Sequence, residues 1–107
     1  MALFLTVGYG DQGGYDATAP PVRDAAHQHD AWLIERGSVM GRAGAPIQVR
    51  NHGAAGVETA EGPFLRADLP VAGFALIEAA DVDEAISLVA RSPCAVANGV
   101  IEIWPLL

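Results

Sequence analysis

Three histidines, a scatter of carboxylates and one thiol are the groups in this 107-residue chain that could do chemistry. His29 has the most informative setting. At helical spacing it shares a stripe with Val22, Ala25, Ala26, Trp32 and Leu33, the apolar side of an amphipathic helix. A histidine turned toward a sheet is desolvated, and its proton affinity is open to tuning. His29 is therefore the candidate catalytic base for proton transfer. The plainer alternative is a core histidine donating to a backbone carbonyl. His27 lies about 160° away around the same helix, so His27 and His29 cannot share one ion, and with Asp30 they make no metal site. His52 falls in a turn and is expected to be solvated.

Glu78 and Glu102 each stand between apolar neighbours in a strand-like run. Two inward carboxylates could act as an acid/base pair or hold a cation, or each could pair with Arg42, Arg50 or Arg66. Asp11, Trp32, Glu78 and Trp104 are the candidate ligand contacts, although aromatic residues also pack at interfaces. Cys94 has only Arg91 close in sequence to activate it and reads as inert. Gly8-Tyr9-Gly10-Asp11-Gln12-Gly13 fits the GxGxxG spacing. A dinucleotide site needs a helix opening at that turn, however, and the next helix is expected only about nine residues on, after GYDATAPP. No GxSxG, Walker, HExxH or CxxC pattern occurs. Neither covalent catalysis nor a cofactor is expected.

These groups must be positioned by a small set of elements. Ala2–Val7 is an almost unbroken apolar run of the kind found in strands buried on both faces. The Gly-rich loop GYGDQGGYDATAPP follows, and a helix runs from about Val22 to Gly37, with Pro21 at its start. Ser38–Arg42 reads as a short strand broken by Gly44 and Pro46. Two extended pieces, near Ile47–Arg50 and Val57–Thr59, flank the turn NHGAAG and form a hairpin-like excursion. Gly73–Ala79 is a further strand. Asp81 caps a second helix, Glu84 completes a capping box, and Ser92-Pro93 ends the helix. Val100–Trp104 is the last strand. The order β-α-β-(hairpin)-β-α-β is that of the ferredoxin-like α+β pattern in one domain, residues 1–107.

Two helices cover one face of such a sheet. The strands nevertheless carry apolar residues on both: Leu3, Leu5 and Val7 against Phe4, Phe74 and Leu76 against Ala75 and Ile77, Val100 and Trp104 against Ile101 and Ile103. The hydrophobic share, 51%, is high for so short a chain. Both features point to a homodimer that hides the second face. A net charge of −7 with six Lys and Arg argues against nucleic acid and against an anionic membrane surface. Met1–Val7 has no basic leader and reads as a strand rather than a signal peptide or membrane span. The single cysteine suits a reducing compartment, and the expected location is cytoplasmic.

Several segments, in order, resemble the YCII-related (DGPF-type) proteins. Tyr9-Gly10-Asp11 is similar to the YGD that follows the first strand in that family. Thr59-Ala60-Glu61-Gly62-Pro63-Phe64 resembles the TDGPF signature, with Glu61 in place of Asp and Ala60 as an extra residue. Gly73–Ala79 followed by Asp83-Glu84-Ala85, then Arg91-Ser92-Pro93 and Gly99–Leu106, resemble the remaining family stretches. The resemblance implies a dimeric α/β barrel with two sheets packed face to face. It also implies kinship with enzymes that act on lactones of aromatic breakdown, for which a helix-borne histidine and an aspartate are the proposed catalytic pair. Those two positions fall near Ala26 and Ser92 here, so this chain departs from the pair at both. Two functions are expected to compete: proton transfer on a small organic acid or lactone with His29 as base, and a non-catalytic dimeric module that binds a small molecule or a protein through loops 8–21 and 44–64.

Overall fold

The computed structural model describes residues 1–107. Its strands are β1 (Ala2–Tyr9), β2 (Val39–Arg42), β3 (Ile47–Arg50), β4 (Glu58–Glu61), β5 (Val71–Ala79) and β6 (Val100–Pro105). Its α-helices are α1 (Gln12–Asp16), α2 (Pro20–Glu35), α3 (Val82–Val89) and α4 (Pro93–Val96), with a 3-10 turn at His52–Ala54. The main sheet has the order β2-β5-β1-β6 and every adjacent pair is antiparallel. Each half carries a helix over one intervening strand, consistent with the ferredoxin-like α+β arrangement. β3 and β4 form a separate two-stranded sheet.

The register sorts the side chains by face. Phe4 stands opposite Ile77 and Thr6 opposite both Ala75 and Ile103, and this face meets the helices. There Phe4, Ile77 and Ala79 pack with Leu33 of α2 and with Ala85, Leu88 and Val89 of α3, flanked by Met40, Ala75, Ile101 and Ile103. The opposite face carries Leu3, Leu5, Val7, Phe74, Leu76, Val39 and Trp104 in register, and no helix covers it. Phe74 and Trp104 are about half exposed there, at 47% and 52%.

The caps explain the helix limits. Asp81 Oδ1 accepts from the Glu84 N–H at 2.8 Å, and Glu84 reaches back to the Ala80 N–H at 3.2 Å. α2 starts at Pro20, slightly before the expected position, with proline tolerated in the first turn where no intrahelical N–H is needed.

Two elements differ from expectation. The Gly-rich loop contains α1, which opens directly after the first strand because Asp11 caps it, Oδ1 accepting from Gly14 N–H at 2.8 Å. Ser92-Pro93 ends α3 as expected, but it also begins α4, Pro93 standing at the first helical position. The turn out of α4 is tight. Asn98 takes φ 63°, and its amide donates to Gly14 O and Thr18 Oγ1, at 3.1 and 3.4 Å. At Gly99, a Cβ would collide with the Tyr9 carbonyl oxygen, so only glycine fits against β1.

Candidate functional site

α2 lines up the side chains that the sequence singled out. His29 is buried against the end of α3, and its Nε2–H donates to the Leu88 carbonyl at 2.6 Å. Leu88 is in the last turn of α3, where carbonyls lack intrahelical partners, so the imidazole takes up one of them. The bond fixes the proton on Nε2, and in the neutral ring Nδ1 is the acceptor. Trp32, one turn on, stacks on the imidazole at 5.4 Å and 25°. Arg36, a further turn on, places its guanidinium 4.7 Å from the Trp32 ring centre. His29, Trp32 and Arg36 thus form a ladder along one side of α2.

At the foot of this ladder is a pocket of about 200 Å³ lined by Met1, Leu33, Arg36, Gly37, Ser38, Glu78 and Leu88. Leu88 joins the two places: its carbonyl holds His29, and its residue borders the pocket. Of the sequence candidates, Glu78 alone lines this pocket, at the sheet edge, and His29 and Trp32 adjoin it through Leu88 and Arg36.

Asp11 and Trp104 lie elsewhere. Asp11 is occupied as the cap of α1. Trp104 lies on the uncovered sheet face, where its Nε1–H donates to Glu102 Oε1 at 2.8 Å, and the Tyr9 hydroxyl donates to the same oxygen at 3.0 Å. Desolvation and then the Glu102 carboxylate hold the Tyr9 hydroxyl's pKa above its ordinary value. Glu78 and Glu102 share the uncovered face but do not form a pair. They stand opposite Leu3 and Val7, about 13 Å apart along β1 and on different flanking strands.

A second polar cluster forms where α2 meets α4. Asp30 is half-buried, and desolvation raises its carboxyl pKa, while the Ser92 side chain and the charges of His27 and His29 pull it down again. Burial also raises the Cys94 thiol, and the Asp30 charge pushes it the same way. Cys94 packs against Gly8 of β1, its Sγ only 2.8 Å from where a Cβ would stand there. Sequence reasoning weighed Asp30 only as a metal partner of His27 and His29, not with Ser92 and Cys94. The residue neighbours His29, but only the fold carries it to Ser92. His27, exposed, bonds the Tyr15 hydroxyl through Nε2 at 2.8 Å, and His52 is exposed in its turn.

No three of the His, Cys, Asp and Glu side chains converge as metal ligands do, and no helix is long and apolar enough to cross a membrane. Fold and site together define a small α+β protein with one antiparallel main sheet, a His29–Trp32–Arg36 stack on one helix and a largely apolar sheet face that no helix covers. No family model matches the chain, and no curated protein matches it.

Proposed function

We propose that the chain is a homodimeric, small-ligand-binding protein of the YCII-related kind. In this reading two copies pack their uncovered sheet faces together as a dimeric α/β barrel, and each binds a small organic carboxylate or lactone at the foot of the α2 ladder. The observation that carries the reading is the pocket joining Arg36, Ser38 and Glu78. At about 200 Å³ it is below the roughly 300–1,000 Å³ of drug-sized sites and suits a ligand of a few heavy atoms. Arg36 offers a planar, always charged partner for a carboxylate. Stacking on Trp32 limits the rotamer freedom that binding would otherwise have to remove.

A second reading, proton transfer at His29, is favoured by the Leu88 bond, which leaves Nδ1 as the acceptor in the neutral ring. Both readings are tested by following the three histidine rings and the Trp32 indole by NMR during titration with acetate, succinate and a simple γ-lactone. Binding is expected to shift Trp32 and to be lost in Arg36→Gln. Unchanged binding in that variant refutes the pocket. Turnover abolished by His29→Gln with binding intact selects proton transfer. Lowered stability alone selects the binding module.

A further inference from the structure

The pocket at the foot of the α2 ladder exists because of how the chain enters the sheet. β2 pairs with β5 only from Val39, opposite Leu76, onward, so Ile77, Glu78 and Ala79 have no strand partner on that side. Had β2 begun two residues earlier, Ser38 and Gly37 would stand opposite Ile77 and Glu78. Those two residues instead close the end of α2. Gly37 takes φ 100°, and the N–H groups of Gly37 and Ser38 donate to the Ile34 and Leu33 carbonyls at 2.9 and 3.0 Å. The free edge of β5 thereby faces the turn that carries Arg36 and Ser38.

Opposite charges line the gap without meeting. Arg36 and Glu78 both border it, yet no ion pair joins them, and neither side chain hydrogen-bonds to another side chain. The Arg36 guanidinium is stacked on Trp32, 4.7 Å from the ring centre. Ser38 adds a hydroxyl, and Leu33 and Leu88, both buried, supply the apolar part of the wall.

This balance of charge selects the ligand. A simple carboxylate is drawn by Arg36 and opposed by Glu78. The C-terminal ends of α2 and α3, which bring Arg36 and Leu88 here, add partial negative charge to the opposition. A dicarboxylate carries a second charge into the same field, in a chain of net charge −7. A molecule that is neutral overall but bears both charges meets each with its complement, while repulsion by Glu78 disfavours the plain acids. A sphere of about 200 Å³ is about 7 Å across, which fits a molecule of a few heavy atoms and no more.

We infer that the pocket is a site for a short zwitterionic amino acid, its carboxylate on Arg36 and its ammonium on Glu78. The inference rests on the pocket reading above and narrows it from carboxylates in general to amino carboxylates.

The test follows the Trp32 indole of the full chain by NMR. The probes are β-alanine, propionate and propylamine, which each keep one of its two charges, and succinate. β-Alanine is expected to bind about tenfold or more tighter than propionate or propylamine, and succinate more weakly than propionate. Glu78→Gln changes an exposed side chain, and it is expected to bring β-alanine down to the affinity of propionate while tightening propionate itself. Propionate bound as tightly as β-alanine, or β-alanine unaffected by Glu78→Gln, overturns the zwitterion and leaves the carboxylate pocket standing. A Trp32 signal that no probe moves, or that propylamine moves as readily as β-alanine, overturns the pocket reading and the zwitterion together.

Discussion

The packing of Cys94 beneath Gly8 ties α4 to β1 beside the Asp30–Ser92–Cys94 cluster, so it is the contact to probe first. A methyl group at position 8 would stand 2.8 Å from Cys94 Sγ and 3.4 Å from its Cβ. The first distance is too short for any real contact, so Gly8→Ala must displace the thiol or the start of α4. Overpacking of this kind costs about 1–3 kcal/mol, and replacing a strand glycine returns roughly 0.5–1 kcal/mol of chain entropy. The net expectation is a loss of about 1–2 kcal/mol. Cys94→Ala alone removes a half-buried sulfur and is expected to cost about 1 kcal/mol. In the double variant the two methyl groups meet at the tolerable 3.4 Å, and the new methyl fills the space the sulfur left. The double variant should then be about 0.5–1 kcal/mol more stable than Cys94→Ala, with a coupling of about 1–3 kcal/mol, the overpacking that is relieved. Urea unfolding reads this as a midpoint shift of roughly 0.5–1 M between Gly8→Ala and the wild type, given slopes of about 1–3 kcal/mol per molar. If the two single effects add to within about 0.5 kcal/mol, the thiol does not rest on Gly8.

Two further expectations concern single carboxylates. The raised pKa of Asp30 means that the folded state holds that proton more tightly than the unfolded chain, so its contribution to stability is present in acid and lost as pH rises past the ordinary aspartate range. Asp30→Asn should therefore raise the urea midpoint at pH 7 and leave it nearly unchanged at pH 3, while making Cys94 quicker to alkylate; an equal change at both pH values refutes it. Asp81→Ala removes the side-chain acceptor for the Glu84 N–H, which should cost about 1 kcal/mol and lower the melting temperature by roughly 4–8 °C, and a change under about 1 °C would show that the cap is idle.

Most of the architecture is written in local patterns. The stripe through Val22, His29 and Leu33 and the capping residues Asp81 and Glu84 mark α2 and α3. The alternation at Phe74–Ile77 already separates the two sheet faces, and the hairpin excursion follows from its turn residues. The short helices are not legible in that way. α1 contains two glycines, which disfavour helix, and its one signal is the Asp11 cap. α4 hides behind Ser92-Pro93, a pair that marks the end of one helix as readily as the start of another. The site is legible one residue at a time but not as a constellation. Burial of His29 follows from periodicity, whereas its bond to Leu88 joins residues 59 apart. The two strand glutamates look like a pair because both alternate with apolar neighbours, and only the register along β1 separates them. The pairing of Tyr9 with Glu102 and Trp104 had half a signal, since Glu102 and Trp104, two apart in a strand, point the same way.

The position of β1 in the sheet also governs how the chain can fold. Both of its neighbours come from the final third of the sequence, with Phe4 set against Ile77 on one side and Pro105 on the other. No native strand contact of β1 can form during synthesis until β5 is out, and its second edge stays unsatisfied until β6 has followed. Contacts of such long sequence separation make for slow folding, because the loop-closure entropy is lost before any pairing compensates it. During that interval a strand with no charged residue is an unpaired edge, a form of nascent chain prone to self-association. β6 thus completes the sheet and also ends the period in which its centre is open to the wrong partner.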